Sequence, residues 1–310
     1  MPNRPNYSCL LDAEIRAFVA RCGRSRAVPD GGIAAERAAY RALARDLDPG
    51  RPKGLASSDR SFGGVSCRLY NPARIRETPI ILYLHGGGFV VGDLDTHDSI
   101  CAELSHRAGA RLVAVDYRLA PEHPHPAQLV DTIAAARAVC RELAAPIIPC
   151  GDSAGGTLAA ALTHATRGSG LRVPGQVLIY PALGRQTDRD SHIRHSDAPM
   201  LTRADMARYI ALRFSGRPSP VPDPTAWPLE DPDCTALPPT HVFSAECDPL
   251  ASDARDYAAR LRRHGSPVRL VEERGLVHGY LRARNVSRRA GAAFDRIVAA
   301  LVTVARSAGT

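Results

Sequence analysis

Ser153, within Gly151-Asp152-Ser153-Ala154-Gly155, has the neighbours that a nucleophile requires. The short apolar run 147–150 after Pro146 reads as a buried strand, and the Ala/Leu-rich residues 157–165 read as a helix. Ser153 therefore falls on a tight turn between the two, the context of a G-x-S-x-G elbow. Strained dihedrals on such a turn crowd its neighbours, and glycine at 151 and 155 removes side chains that would clash. The helix beginning at Ala154 points free N–H groups at the reacting centre. A small-residue turn before a helix also occurs with no chemistry attached. A nucleophilic serine needs a base, an orienter for that base, and donors for an oxyanion.

Three further segments offer these partners. His278, in Val277-His278-Gly279, lies in the loop after a strand expected over 268–272. Asp248, in Cys247-Asp248-Pro249-Leu250, follows a strand expected over 241–245. The C-terminal ends of strands are where an α/β sheet carries its catalytic groups. His85-Gly86-Gly87-Gly88-Phe89 comes directly after the apolar run 80–84, and its glycines leave backbone N–H groups open to a tetrahedral oxyanion. A phosphate cradle is the rival reading of a glycine turn, but the segment has neither the Lys-Ser/Thr ending of a P-loop nor G-x-G-x-x-G spacing.

The elements that must position these residues alternate along the chain. Helices are expected over 12–22 and 33–47, strands over 66–70, 80–85, 112–117, 147–150, 177–180, 241–245 and 268–272, and helices over 99–108, 127–143, 252–264 and 287–306. This alternation predicts an α/β fold with a mostly parallel central sheet covered by helices on both faces. One segment interrupts it: residues 184–239 hold nine prolines and no clear strand, with a helix starting at Thr202, whose spacing to Asp205 suits a capping box. The expectation is a single domain over 1–310 in which residues of about 1–50 and 184–239 form a helical cap above the strand ends.

Bulk properties narrow the class. At 310 residues and 45% hydrophobic, the chain buries a sizeable core, and no apolar run approaches a membrane span. Residues 1–23 carry Asp12 and Glu14 with no continuous apolar core, which argues against a cleaved signal and for the cytoplasm. The eight cysteines include no C-x-x-C pair and read as reduced, mostly buried thiols, Cys150 and Cys247 among them. The +8 net charge is nearly all arginine, since Lys53 is the only lysine. Clusters such as Arg260, Arg262 and Arg263, or Arg282, Arg284, Arg288 and Arg289, have acidic neighbours and read as solvated faces, so no nucleic-acid partner is expected. Glu122-His123-Pro124-His125 is interrupted by proline and reads as loop, with no metal. His192 and His195 read as solvated, and Trp227 as a packing anchor of the cap.

Taken together, the chain resembles the bacterial hormone-sensitive-lipase-like (family IV) carboxylesterases of the α/β-hydrolase fold. The resemblance runs from about Leu69 to the C-terminus. It rests on His85-Gly86-Gly87-Gly88-Phe89, the run 116–124 (Asp-Tyr-Arg-Leu-Ala-Pro-Glu-His-Pro), Gly151-Asp152-Ser153-Ala154-Gly155-Gly156, Tyr180-Pro181-Ala182-Leu183, Asp248-Pro249-Leu250 and His278-Gly279. The order Ser, Asp, His is that of α/β-hydrolases. The resemblance implies a serine esterase with catalytic Ser153, Asp248 and His278, and an oxyanion hole from the N–H groups of Gly87, Gly88 and Ala154. It also implies a small-molecule ester substrate with a short- to medium-chain acyl group, no cofactor, and a homodimer. Three departures bear on the pocket: Ala251-Ser252-Asp253 stands where many relatives carry an acidic pair, the final motif reads His278-Gly279-Tyr280 in place of His-Gly-Phe, and the loop before Ile147 is shorter than usual. The same triad also serves amide, formamide or carbamate hydrolysis, and a non-catalytic small-molecule receptor shares the fold.

Overall fold

Residues 80–84, in strand β3 (Glu77–Leu84), are wholly shielded from solvent and alternate between two apolar clusters. Ile80, Leu82 and Leu84 pack into one, Ile81 and Tyr83 into the other. A strand buried on both faces is central and covered twice, and each such side chain is worth about 1.5–3 kcal/mol of burial. The computed structural model describes residues 5–25, 31–218 and 222–308. Its other strands are β1 (Leu55–Phe62), β2 (Val65–Pro72), β4 (Ala110–Val115), β5 (Ile147–Asp152), β6 (Gln176–Ile179), β7 (Thr240–Cys247) and β8 (Val268–Val277). They form one sheet in the order β1-β2-β4-β3-β5-β6-β7-β8. The pairs β1–β2 and β2–β4 are antiparallel, and every later pair is parallel.

The helices are α1 (Tyr7–Leu10), α2 (Ala13–Ser25), α3 (Gly32–Asp46), α4 (Asp98–Ala108), α5 (Ala127–Glu142), α6 (Ala154–Ala165), α7 (Asp190–Arg194), α8 (Arg203–Arg213), α9 (Ala251–Arg263) and α10 (Arg288–Ser307). Apolar residues of α4 and α10, with Ile15 and Phe18 of α2, cover one face of the sheet. Those of α5, α6 and α9 cover the other. The doubly covered, mostly parallel sheet read from the sequence is thus the observed one. None of the described helices is long and apolar enough to cross a membrane.

Two differences from the sequence reading have simple causes. Strand β1 was not expected: Leu-Ala-Ser-Ser-Asp-Arg-Ser-Phe is mostly exposed, and it lies at the sheet edge paired only to β2, so little apolar pattern marks it. Strand β8 runs on to Val277, past a register shift opposite residues 245–247, where Gly275 takes φ +67°. The extension carries His278 to the very end of the strand.

Helix α8 begins with the capping box, Thr202 Oγ1 accepting from the Asp205 N–H at 3.0 Å and Asp205 Oδ2 accepting from the Thr202 N–H at 2.9 Å. The described part of 184–239 contains no strand. It meets the N-terminal helices directly: Arg208 pairs with Glu36 at 2.6 Å, the Tyr209 hydroxyl donates to Glu36 at 2.9 Å, and Tyr7 Oη lies 3.0 Å from His195 Nδ1. Residues 1–4, 26–30 and 219–221, within the ranges assigned to the cap, lie outside the described residues.

Candidate active site

Ser153 sits between β5 and α6 with φ 54° and ψ −120°, a conformation that non-glycine residues avoid. The sheet holds it there. Its N–H donates to the Ile179 carbonyl of β6 at 2.8 Å, and the turn presses so closely on β3 that a Cβ at Gly155 would stand 1.8 Å from the Leu84 carbonyl oxygen. This close approach is why glycine, and no larger residue, follows the serine by two positions.

The structure brings Ser153, Asp248 and His278 into one hydrogen-bonded line. His278 Nδ1 lies 2.7 Å from Asp248 Oδ2, and Nε2 lies 2.9 Å from Ser153 Oγ. A carboxylate can only accept, so Nδ1 carries the proton and Nε2 is left to accept from the serine hydroxyl. Asp248 is 1% exposed and its other oxygen accepts from the Leu250 N–H at 2.9 Å. Tyr180 packs beside the imidazole, with ring centroids 4.8 Å apart.

Below this line, Asp152 ties the glycine segment to the elbow. Its Oδ1 accepts from the Gly86 N–H at 2.9 Å and from the Tyr83 hydroxyl at 2.8 Å, and Tyr180 Oη is 3.4 Å from Oδ2. Burial favours the neutral carboxyl, but His97, the Tyr83 hydroxyl and the Arg282 charge outweigh it and hold Asp152 well below the usual carboxylate range. The next residue, Gly87, takes φ +123° with no room for a side chain, since a Cβ would meet the Val91 carbonyl oxygen at 2.1 Å. Gly87 and Gly88 line a cavity of about 480 Å³ together with Ser153 and His278. Ala154 lines a narrower one of about 60 Å³ that also reaches Ser153, walled by Phe89, Leu201, Met206, Trp227 and Arg213. Gly87, Gly88 and Ala154 thus each share a cavity wall with Ser153, and His278 and Asp248 are joined to it by hydrogen bonds.

Several residues of these walls were not legible as such. Tyr40, Arg208 and Arg282 line the wide cavity. The solvated reading fails for Arg282, which the cavity takes in, and for Arg284, which is 7% exposed and paired to Glu103 at 2.6 Å; Arg288 and Arg289 are exposed as expected. Arg213 is 1% exposed and stacks over Phe89 with its guanidinium carbon 3.8 Å from the ring centroid; Trp227, buried as anticipated, closes the same cluster. Glu122 pairs with Arg37 and His125 with Asp223, and among the described residues no group of three His, Cys, Asp or Glu is arranged to hold a metal. Cys150 and Cys247 are buried, as read.

His192 and His195 are also corrected: both are buried, His192 in α7 where that helix packs on α9, and His195 beside Tyr7. His192 is fully enclosed, 3.5 Å from Asp253, and neither ring nitrogen has a hydrogen-bond partner. Burial pushes the imidazoles of His85, His125 and His192 down to about 4. An unfolded histidine titrates near 6.5, so between about pH 6.5 and 4 the unfolded chain binds protons that the folded one refuses. Stability is therefore expected to fall on acidification through that window, by up to about 1.4 kcal/mol per pH unit for each of the three. Urea unfolding at pH 7 and pH 5 measures the drop, which should be smaller in His192→Phe; an equal drop in parent and variant would remove His192 from the account.

The chain's similarities agree with this geometry. Residues 81–282 match a protein family described as having the alpha/beta hydrolase fold. The chain is 37% identical over 291 residues to the esterase LipI of Mycobacterium tuberculosis, covering 89% of each chain. It is 32% identical over 260 residues to the ethyl acetate hydrolase of Pseudomonas putida, covering 80% of this chain and 81% of that one. Among solved structures, an esterase from the bacterial hormone-sensitive lipase family superposes with a TM-score of 0.87 at 26% identity, over 94% of this chain and 98% of the other.

Proposed function

For a chain that belongs to the alpha/beta-hydrolase family, in the company of the bacterial hormone-sensitive-lipase-like esterases, we propose carboxylic ester hydrolysis through an acyl-enzyme on Ser153. The reaction class, ester hydrolysis, is that of its relatives. In the proposed mechanism Ser153 Oγ attacks the ester carbonyl while His278 Nε2 takes its proton. The N–H groups of Gly87, Gly88 and Ala154 hold the developing oxyanion. His278 then passes the proton to the departing alcohol, and the acyl group remains on Ser153. A water molecule, deprotonated by His278, frees the carboxylic acid and restores the serine. Asp248 keeps the imidazole in the required tautomer and stabilises it when charged. The observation that carries this reading is the unbroken line of hydrogen bonds from Ser153 through His278 to Asp248.

Short to medium acyl chains follow from the narrow cavity beside Ala154, whose wall of Leu201, Met206 and Trp227 leaves room for a few carbon atoms. The name of the Pseudomonas putida relative, ethyl acetate hydrolase, points the same way. The helices of the first fifty residues and the 184–239 segment act as the cap, since Tyr40, Met200 and Arg208 from them wall the wide cavity. Amide and carbamate hydrolysis is not favoured, and a receptor role is at odds with a complete triad. A panel of p-nitrophenyl esters from acetate to palmitate is expected to give its highest kcat/KM at or below hexanoate. A maximum on long emulsified chains would overturn the assignment of the narrow cavity.

A further inference from the structure

Arg282 lines the cavity that the ester must occupy, and nothing in the proposed mechanism uses its charge. Its guanidinium donates to the Thr96 carbonyl at 2.9 Å and to the Tyr40 hydroxyl at 3.0 Å, and lies 3.4 Å from His97 Nε2. These contacts engage three of five N–H donors, and the first two acceptors carry no charge. Burial favours the neutral form of His97 as well. No carboxylate among the described residues forms an ion pair with Arg282, whereas Arg208 in the same wall is matched to Glu36 and Arg284 to Glu103. Asp152 acts on Arg282 without an ion-pair contact, with His97 Nε2 3.7 Å from its Oδ1, and that oxygen already serves Gly86 and Tyr83. The result is a fixed, planar cation with two N–H groups unused among the described residues.

Which part of the ester meets it follows from the position of the acid. His278 must reach the leaving oxygen to protonate it, and His278 lines the wide cavity with Arg282 but not the narrow one beside Ala154. The alcohol portion therefore lies on the Arg282 side. We propose that Arg282 is a specificity-determining residue that binds a carboxylate carried on the alcohol portion, so that acylated hydroxycarboxylates are preferred over neutral esters of the same shape. The unused N–H groups lie on Nε and Nη1, each able to donate singly to a carboxylate oxygen, and a charge-assisted hydrogen bond in a partly desolvated cavity is stronger than one on the surface. The proposal rests on ester hydrolysis at this same site.

The test compares 4-acetoxybenzoate with its neutral amide, 4-acetoxybenzamide, in the parent, Arg282→Lys and Arg282→Met. The parent ratio of kcat/KM, acid over amide, is expected to be about 10- to 100-fold, to shrink with added salt, to be intermediate in Arg282→Lys and near one in Arg282→Met. A parent ratio at or below one, with both esters turned over, overturns the proposal and leaves ester hydrolysis intact; so does a parent-like ratio in Arg282→Met. Turnover of neither ester, nor of p-nitrophenyl acetate, by folded protein would instead remove the hydrolase reading and this inference with it. If Arg282→Met does not fold, inhibition of the parent's p-nitrophenyl acetate turnover decides: benzoate should bind at least about tenfold more tightly than benzamide, and equal inhibition overturns the proposal.

Discussion

Ser153→Ala is expected to lower kcat for p-nitrophenyl acetate by about 10⁴- to 10⁶-fold while leaving the fold in place. The size of the loss follows from what the hydroxyl alone provides. Without Oγ no acyl-enzyme forms, and His278 Nε2, which now lies 2.9 Å from that oxygen, has only water to activate. The binding cavity and the N–H groups of Gly87, Gly88 and Ala154 stay, so a residual rate above that of water remains. Because the three side chains act as a unit, adding His278→Ala to Ser153→Ala should cost little more. Steady-state kinetics on both variants, with circular dichroism to establish folding, checks this. A loss of less than tenfold would show that another group performs the attack.

Asp248→Asn should be nearly as severe, about 10⁴-fold in kcat, although it changes a single atom. Asp248 accepts twice, from His278 Nδ1 through Oδ2 and from the Leu250 N–H through Oδ1. An asparagine keeps one acceptor, and the fixed Leu250 N–H claims it. The amide NH₂ then faces Nδ1, which must give up its proton, and the proton moves to Nε2. That nitrogen can no longer accept from Ser153. The loss therefore comes from a tautomer, and it should appear in kcat with KM nearly unchanged, because Asp248 is buried away from the substrate cavity. Retention of more than a tenth of the parent kcat would mean that Asp248 is not the orienter.

The parts of this site that were readable in the sequence are those where chemistry and chain geometry coincide over a few residues. The elbow at Ser153, the glycines at 86–88, Asp248 and His278 each lie at the end of an apolar run, and strand ends in a parallel sheet converge on one edge. What escaped was decided by partners far along the chain. Arg282 looks like any arginine beside other arginines until Tyr40, 242 residues earlier, supplies an acceptor for it. Arg213 and His192 became interior groups because Phe89 and α9 happen to cover them, which no local spacing encodes. Strand β1 escaped for the opposite reason: it buries too little to leave a pattern.

The order Ser153, Asp248, His278 has a consequence during synthesis. Ser153 leaves the ribosome 125 residues before His278, its proposed base, and β3 and β5 can form its turn while β7 and β8 are still unmade. Throughout that interval the nascent chain holds an unarmed serine. In the proposed mechanism hydrolytic power arrives only when the last strand delivers His278, the step that also adds Arg282 to the wall.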